Sequence, residues 1–351
     1  MELKERIAAF EKLGVFLKEQ GTGFFTGMSA EHKMFGNLIT QLKNHNGWFT
    51  EENVHQAIAS IAQSLEPENL RQWLTPYRGE LAGPERGKKV LVIMAGNIPL
   101  VGFHDFISVL ISGNRFLGKV SSDDHLLLPF LAAVLLQIEP RFKDSIEFAE
   151  GPAKDLDAVI ATGSTNSSRY FDYYFGKYPH IIRKNRHSAA VLNGSETPAD
   201  FKELGKDIFQ YYGLGCRNVS KLFVPEGYTF DSFFEGIFEY AGVAQSNKYV
   251  NNYEYNKTIY LLNNEKLFDN NFLLLRPDIA LSSPIGVLFY EFYSDEQALG
   301  TRLGMDKPFI QCLVSKDGAL EGSVSFGNTQ CPMLWEYADG VDTLRFLLGL
   351  S

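Results

Sequence analysis

Apolar positions in the first part of the chain recur every three or four residues. Leu3, Ile7, Phe10, Leu13 and Leu17 form one stripe; Phe35, Leu38, Ile39 and Leu42 a second; Val54, Ile58, Ile61 and Leu65 a third. That is the spacing of amphipathic helices, so residues 1–80 read as a helical lead-in. Gly and Pro then punctuate Leu81-Ala82-Gly83-Pro84-Glu85-Arg86-Gly87, the expected linker. Beyond it the pattern changes. Val90–Ala95, Arg115–Val120, Ile146–Ala149 and Ala158–Thr162 are short apolar runs without period-two alternation, as strands of a parallel sheet covered on both faces require. Helices are expected around Phe103–Ile111 and Leu126–Ile138. A second series places strands near Ala189–Leu192, Leu222–Val224, Thr258–Leu262, Val287–Tyr293 and Ile310–Val314, with helices near Asp200–Tyr211, Asp231–Ala241 and Asp295–Leu303. The alternation predicts βαβ units, a doubly wound sheet, and two α/β domains divided near residue 190.

Composition narrows the function classes. The net charge of -9 argues against a surface that tracks nucleic-acid phosphates. The first twenty residues mix acidic and basic side chains through an apolar stripe, which is not a secretory leader. The longest apolar run, Leu126–Leu136, contains Pro129 and is well short of the roughly 20 residues a membrane helix needs. It reads as a buried helix. Three cysteines, Cys216, Cys312 and Cys331, without a CxxC pair disfavour a disulfide framework and a four-ligand zinc site. A reducing cytoplasm is the expected location. The histidines show no HExxH spacing, so no metal is expected; His180 and His187 lie with Arg183, Lys184 and Arg186 in a basic strip, read as solvated or phosphate-facing.

Four segments carry the candidate chemistry. Gly96-Asn97-Ile98-Pro99-Leu100 ends an expected strand and opens a helix, where open α/β sheets bind ligands; an ordinary turn explains it as well. Gly118-Lys119-Val120-Ser121-Ser122-Asp123-Asp124 follows another strand. Lys119 offers a cation there, and Ser121 and Ser122 offer hydroxyls to a ribose or phosphate, or act as helix caps. Thr162-Gly163-Ser164-Thr165-Asn166 precedes a helix whose amino-terminal N–H groups favour phosphate. It is neither a GxGxxG nor a Walker loop. Finally, Tyr211-Tyr212-Gly213-Leu214-Gly215-Cys216-Arg217-Asn218-Val219-Ser220 sets a cysteine behind two glycines and beside Arg217. The glycines admit close approach of a ligand, and a neighbouring cation favours thiolate; a small packed residue is the plain alternative. Cys312, in the apolar run Phe309–Val314, reads as core.

Taken in order, Gly96-Asn97-Ile98-Pro99, Gly118-Lys119 with its serines, Thr162-Gly163-Ser164-Thr165 and the glycine-flanked Cys216 resemble the ordered landmarks of the aldehyde dehydrogenase superfamily. Ser112–Asp124 and Gly213–Pro225 look most like the acyl-CoA reductases of bacterial luminescence systems, the LuxC family. The resemblance runs from about residue 88 to the end of the sequence. It implies that Cys216 is the nucleophile, that Asn97 with the nucleophile's backbone N–H stabilises the thiohemiacetal oxyanion, that Lys119 binds the adenosine ribose, and that Gly163 and Ser164, with Thr165 beside them, line the pyrophosphate. Three departures matter. Where aldehyde dehydrogenases carry Glu-Leu-Gly-Gly-Lys, with a glutamate that activates water, this chain has Arg183-Lys184-Asn185-Arg186-His187. A thioester on Cys216 is then better exchanged with coenzyme A than hydrolysed. Lys-Pro-Ser-Glu becomes Lys119-Val120-Ser121-Ser122; without the glutamate nothing repels a 2'-phosphate, which favours NADPH over NADH. Leu281-Ser282-Ser283-Pro284-Ile285-Gly286 replaces Glu-x-Phe-Gly-Pro and its nicotinamide-ribose glutamate.

The resemblance implies an α/β, aldehyde-dehydrogenase-like chain: residues 1–80 as a lead-in packed on the cofactor domain, a Rossmann-type dinucleotide-binding domain over 81–190, a second α/β domain with the catalytic cysteine over 191–335, and a C-terminal segment 336–351. The implied activity is NAD(P)H-dependent reduction of an acyl-CoA thioester to an aldehyde through acyl-Cys216, coenzyme A being part of the substrate. The rival readings are a short-chain CoA-acylating or semialdehyde dehydrogenase and an inactive scaffold of the same fold. A homo-oligomer and an acyl-delivering partner enzyme stay open; nucleic acid and a transmembrane segment are not expected.

Overall fold

The computed structural model describes residues 1–22, 30–83 and 86–350, without the side chains of Thr22 and Thr165. Pro84 and Glu85 of the expected linker lie outside the described residues. The lead-in stripes close into helices α1 (Leu3–Thr22), α2 (Ala30–His45), α3 (Glu51–Ser64), α4 (Pro67–Leu74) and the short α5 (Arg78–Leu81). Phe10, Leu13 and Leu17 of α1, Phe35 and Ile39 of α2, and Val54 and Ile58 of α3 are buried. Thr50 caps α3 by accepting the Asn53 N–H, and Pro67 opens α4, where its missing donor costs nothing.

The first sheet is built from β1 (Lys89–Ile93), β2 (Arg115–Lys119), β3 (Ile146–Phe148), β4 (Ala158–Thr162) and β5 (His180–Arg183). The connecting helices are α6 (Phe103–Ile111), α7 (Leu127–Ile138) and α8 (Thr165–Phe175). Its order is β3-β2-β1-β4-β5 and every pairing is parallel, with Val90 of β1 beside Phe116 and Ala158. Alternate residues go to opposite faces. Val90 and Val92 join the core of α1–α4, α6 and α7, while Leu91, Leu117 and Val159 pack under Phe171 and Phe175 of α8. The lead-in is sealed onto the first face by rings: Phe10 lies edge-on to Phe106 (6.2 Å) and Phe142 (6.0 Å), and Phe35 stacks on Phe130 at 4.8 Å. The last helix, Thr343–Leu348, enters the same core through Leu344 and Leu347, and Asn114 donates to the Leu347 carbonyl.

The second sheet contains β6 (His187–Val191), β7 (Val219–Pro225), β8 (Phe268–Asp269), β9 (Leu274–Pro277), β10 (Val287–Tyr293), β11 (Ile310–Ser315) and β12 (Val324–Ser325). Their order is β12-β11-β6-β7-β10-β9-β8, parallel except at β8–β9. Helices α9 (Pro198–Phe209), α10 (Asp231–Gly236), α11 (Asn247–Leu262) and α12 (Glu296–Asp306) complete this part. α9 begins with a reciprocal Thr197–Asp200 capping box and buries Phe201, Leu204 and Ile208 against the sheet.

The chain forms two units, Met1–Asn185 with Pro332–Ser351, and Arg186–Cys331. One expected strand is overturned: Thr258–Leu262 is the end of helix α11. Its buried face is Tyr249, Tyr253, Asn256 and Tyr260, at helical spacing, and the apolar run that suggested a strand leaves Leu261 and Leu262 exposed. A short apolar run does not by itself distinguish strand from helix; the tyrosine period set by the core does. Among the described residues no helix is long and apolar enough to cross a membrane, and no group of three or more His, Cys, Asp or Glu side chains could hold a metal ion.

Candidate active site

In the first unit the strand order reverses between β1 and β4, and ligand crevices of open α/β sheets lie outside the carboxyl ends at such a point. The loops leaving β1, β2 and β4 there carry Asn97, Lys119, Ser121, Ser122, Gly163 and Ser164. They are fastened to one another. A Cβ on Gly96 would sit 2.6 Å from Ser121 Oγ, so only glycine lets the two loops touch. Leu100, held at φ +61°, donates its N–H to Asp124 Oδ2 at 2.8 Å. Asp124 is buried, and burial pushes its carboxyl up to about 6. Ser121 Oγ accepts the Asp123 N–H and the Ser121 carbonyl accepts the Asp124 N–H, so these residues form a tight turn rather than capping α7, whose N-cap is Leu126. Asn97, Lys119 and Ser122 are exposed.

After β4, Ser164 is the N-cap of α8, accepting the Ser167 N–H at 3.2 Å. A Cβ on Gly163 would lie 2.9 Å from the Phe171 ring, so glycine lets α8 press onto its strand. The Thr165 side chain lies outside the described residues. A cation and hydroxyls at the strand ends, with a helix amino terminus opening there, are a donor set whose chemistry could hold a dinucleotide.

Cys216 belongs to the second unit, in the turn between α9 and β7, and its side chain is exposed. The approach to it is wound the left-handed way through three residues, Tyr211 (φ +52°), Tyr212 (φ +57°) and Gly213 (φ +78°). Such non-glycine residues cost about 1–2 kcal/mol each, so the surroundings must hold them. Asn218 does much of that. Its Oδ1 accepts the Gly215 N–H at 2.8 Å, and its Nδ2 donates to the Asp207 and Gln210 carbonyls at 2.9 and 2.8 Å, closing the end of α9 against the cysteine turn. Buried Ser188 of β6 donates Oγ–H to the Cys216 carbonyl at 2.9 Å. Asp207, wholly buried, accepts from Gly327 N–H, Thr329 N–H and Thr329 Oγ–H, and burial raises its carboxyl to about 6. Burial also raises the Tyr211 hydroxyl and lowers the His187 imidazole. Cys312 is core, and Cys331 is half-buried.

The basic strip divides. Lys184 is exposed, but Arg183, expected to be solvated or phosphate-facing, is buried, its guanidinium on both oxygens of Asp105 (2.6 and 2.8 Å) and on Thr343 Oγ1 (3.0 Å). It ties β5 to α6 and to the last helix. Sequence reasoning passed over Asp207, Asn218, Ser188 and Asp124 as functional supports. One signal was available: Asp207 stands in the same helical stripe as Leu204 and Ile208, so it is a carboxylate on a buried face.

The acyl-CoA reductase (LuxC) family model matches residues 28–235, more than half of the 351 residues and a span that includes the segments around Asn97, Lys119, Gly163 and Cys216. Aldehyde dehydrogenase 21 from Physcomitrella patens, solved with the reaction product succinate, is 15% identical with a TM-score of 0.68, over 99% of this chain and 84% of that one. An aldehyde dehydrogenase from Bacillus cereus, solved as an NAD+ complex, is 13% identical with a TM-score of 0.60, over 90% and 72%. Proline utilization A with proline bound in remote sites is 15% identical with a TM-score of 0.64; 90% of this chain is covered, and the chain spans 36% of that larger protein. These likenesses show an aldehyde-dehydrogenase fold. No curated protein sequence matches.

Proposed function

Because the chain belongs to the acyl-CoA reductase (LuxC) family, an oxidoreductase family of acyl and aldehyde groups, we propose that it reduces an acyl-CoA thioester to an aldehyde through an acyl-Cys216 intermediate. The observation that carries this reading is an exposed cysteine on a turn braced from beneath by Asn218 and Ser188, inside the matched span.

Cys216, as thiolate, attacks the thioester carbonyl carbon and forms a new C–S bond. The Asn97 amide is the proposed donor to the resulting oxyanion, with the Cys216 backbone N–H. Ser188 holds the peptide carbonyl of Cys216 and Asn218 holds the preceding Gly215 N–H, so the turn does not need to reorganise as charge develops. Collapse breaks the bond to the coenzyme A sulfur, which leaves as thiolate and takes up a proton. A nicotinamide dinucleotide held by Lys119, Ser121, Ser122 and the Gly163-Ser164-Thr165 loop would, when bound, supply hydride to the acyl carbon. The thiohemiacetal oxyanion left on Cys216 then collapses: its C–S bond breaks, aldehyde departs, and the thiolate is restored. Arg183–His187 contains no carboxylate to activate water, and Arg183 is spent on Asp105, so exchange with coenzyme A is favoured over hydrolysis. Ser122 in place of a glutamate favours NADPH.

The test is nicotinamide oxidation by the purified protein with acyl-CoAs of short, medium and long chain, alongside Cys216→Ala and Asn97→Ala. Thiol-dependent oxidation with free aldehyde appearing, and an acyl adduct on Cys216 by intact mass when the dinucleotide is omitted, are the expected results. Loss of one oxyanion donor in Asn97→Ala should lower kcat by about 100-fold or more. Turnover surviving in Cys216→Ala would overturn the reading.

A further inference from the structure

The lead-in reaches the turn assigned above to the ribose. Asn46, buried just past the end of α2, donates Nδ2–H to the Asp123 carbonyl at 3.3 Å and accepts the Trp48 N–H on Oδ1 at 3.1 Å. Beside it, exposed His45 meets exposed His125 edge-on, ring centroids 5.9 Å apart and planes at 83°. His125 is folded back on its own turn, with Nδ1 2.9 Å from the Ser122 carbonyl. A carbonyl only accepts, so Nδ1 carries the hydrogen and Nε2 is the nitrogen that gains a proton on charging.

We propose that His125, backed by His45 from the lead-in, is the specificity-determining group that takes the 2'-phosphate of an NADP-type cofactor beside Ser122. The inference rests on the dinucleotide reading of this turn and adds to it a residue set and a partner element. Imidazolium at His125 would donate Nε2–H to a phosphate oxygen while Nδ1–H stays on Ser122, a charge-assisted contact with no side chain left to reorient. Asn46 fixes the peptide at Asp123 and so fixes the spacing between Ser122 and His125.

The titratable groups that meet His125 are His45 on α2 and, on its own turn, Asp124, with Asp123 two positions before it in the chain; the loop 96–102 and the first turn of α7 contain none. Asp124 faces His125 electrostatically, and its carboxyl is pushed up to about 6 by burial. Above pH 6 Asp124 gains a negative charge, which weakens attraction for a phosphate, so the contact is best read at pH 6.

The experiment uses calorimetric binding of two probes, adenosine 2',5'-bisphosphate and adenosine 5'-monophosphate, to the full chain and to His125→Gln, His125→Ala and His45→Ala, at pH 6. KM values for NADPH and NADH are measured in parallel. The chain should prefer the bisphosphate at pH 6. His125→Gln should lose about tenfold of that preference, the size of one charged hydrogen bond, while its affinity for the monophosphate stays within about twofold. The NADPH KM should rise in step, and the NADH KM should not. Unchanged bisphosphate preference in both His125 variants would overturn this inference and leave the dinucleotide reading standing; failure of either probe to bind at all would overturn both.

Discussion

Each unit holds a buried aspartate that fastens a loop, Asp124 and Asp207, and the two are used differently. Asp124 in the first unit accepts Leu100 N–H on one oxygen, while the other, buried, accepts no hydrogen bond. Asp207 in the second unit is saturated: Thr329 N–H and Oγ–H share Oδ1, and Gly327 N–H takes Oδ2. Both carboxyls are raised to about 6 by burial. The same penalty therefore secures different amounts of structure. Asp207 anchors 327–329 to a helix whose end also supports the cysteine turn, while Asp124 joins two short loops over which a ligand is proposed to lie. A carboxylate with bonding capacity left over can respond to what arrives; a saturated one is a fastening.

The largest test of that contrast is Asp207→Ala. It strands three donors in the interior and should cost about 3 kcal/mol in urea unfolding, given roughly 1 kcal/mol or more for each unsatisfied group. A cost under about 1 kcal/mol would show that water or a shifted backbone replaces the aspartate.

Next comes the pH dependence. An acid whose folded pKa is raised from 3.8 to about 6 binds its proton more tightly when folded, so its contribution to stability is complete below pH 4 and is lost as pH rises to about 6. The loss is about 3 kcal/mol per group, at roughly 1.4 kcal/mol for each pKa unit. Unfolding free energies of wild type minus Asp207→Asn should thus fall between pH 4 and 6 and level off above. Asp124→Asn should show the same sign, and a difference that rises with pH would contradict the assigned cause.

Asp124→Ala should be milder at neutral pH, about 1 kcal/mol for one neutralised backbone contact, yet it frees the loop at Leu100. Its signature is a weakened affinity for adenosine 5'-monophosphate larger than its effect on unfolding. Smallest is Ser188→Ala, which removes one hydroxyl from the Cys216 carbonyl and should cost about 1 kcal/mol or less. Its effect should surface in the rate of Cys216 alkylation, with no change in nucleotide affinity; a variant that alkylates at the wild-type rate would remove Ser188 from the support of the turn.

Much of the fold was legible along the chain because its signals are local. Val287–Tyr293, Phe103–Ile111 and Ala158–Thr162 form with the expected bounds, since a strand covered on both faces and a helix with one apolar stripe advertise themselves within a few residues. The segments around Asn97, Lys119, Gly163 and Cys216 were likewise legible, as glycine and hydroxyl residues at strand ends. β5 and β9 were not: His180–Arg183 is short and half basic, and Leu274–Pro277 has only two buried apolar side chains and a proline. The fastenings beneath the site were equally silent. Asn218 looked like one more polar loop residue until its amide was seen bridging Gly215 to the Asp207 and Gln210 carbonyls.

What the sequence determined by itself was the alternation of strand and helix, the class of sheet, and the residue types presented where strands end, because periodicity and turn chemistry act over one to four neighbours. The tertiary structure alone decided which charges turn inward and what they hold. Arg183 reads as one cation in a basic strip, and only folding brings it onto Asp105 and onto Thr343, 160 positions away. Thr258–Leu262 reads as a strand, and only the core's demand for Tyr253 and Tyr260 makes it a helix. Burial of a charge and choice between periods both depend on partners far along the chain, and no local window contains them.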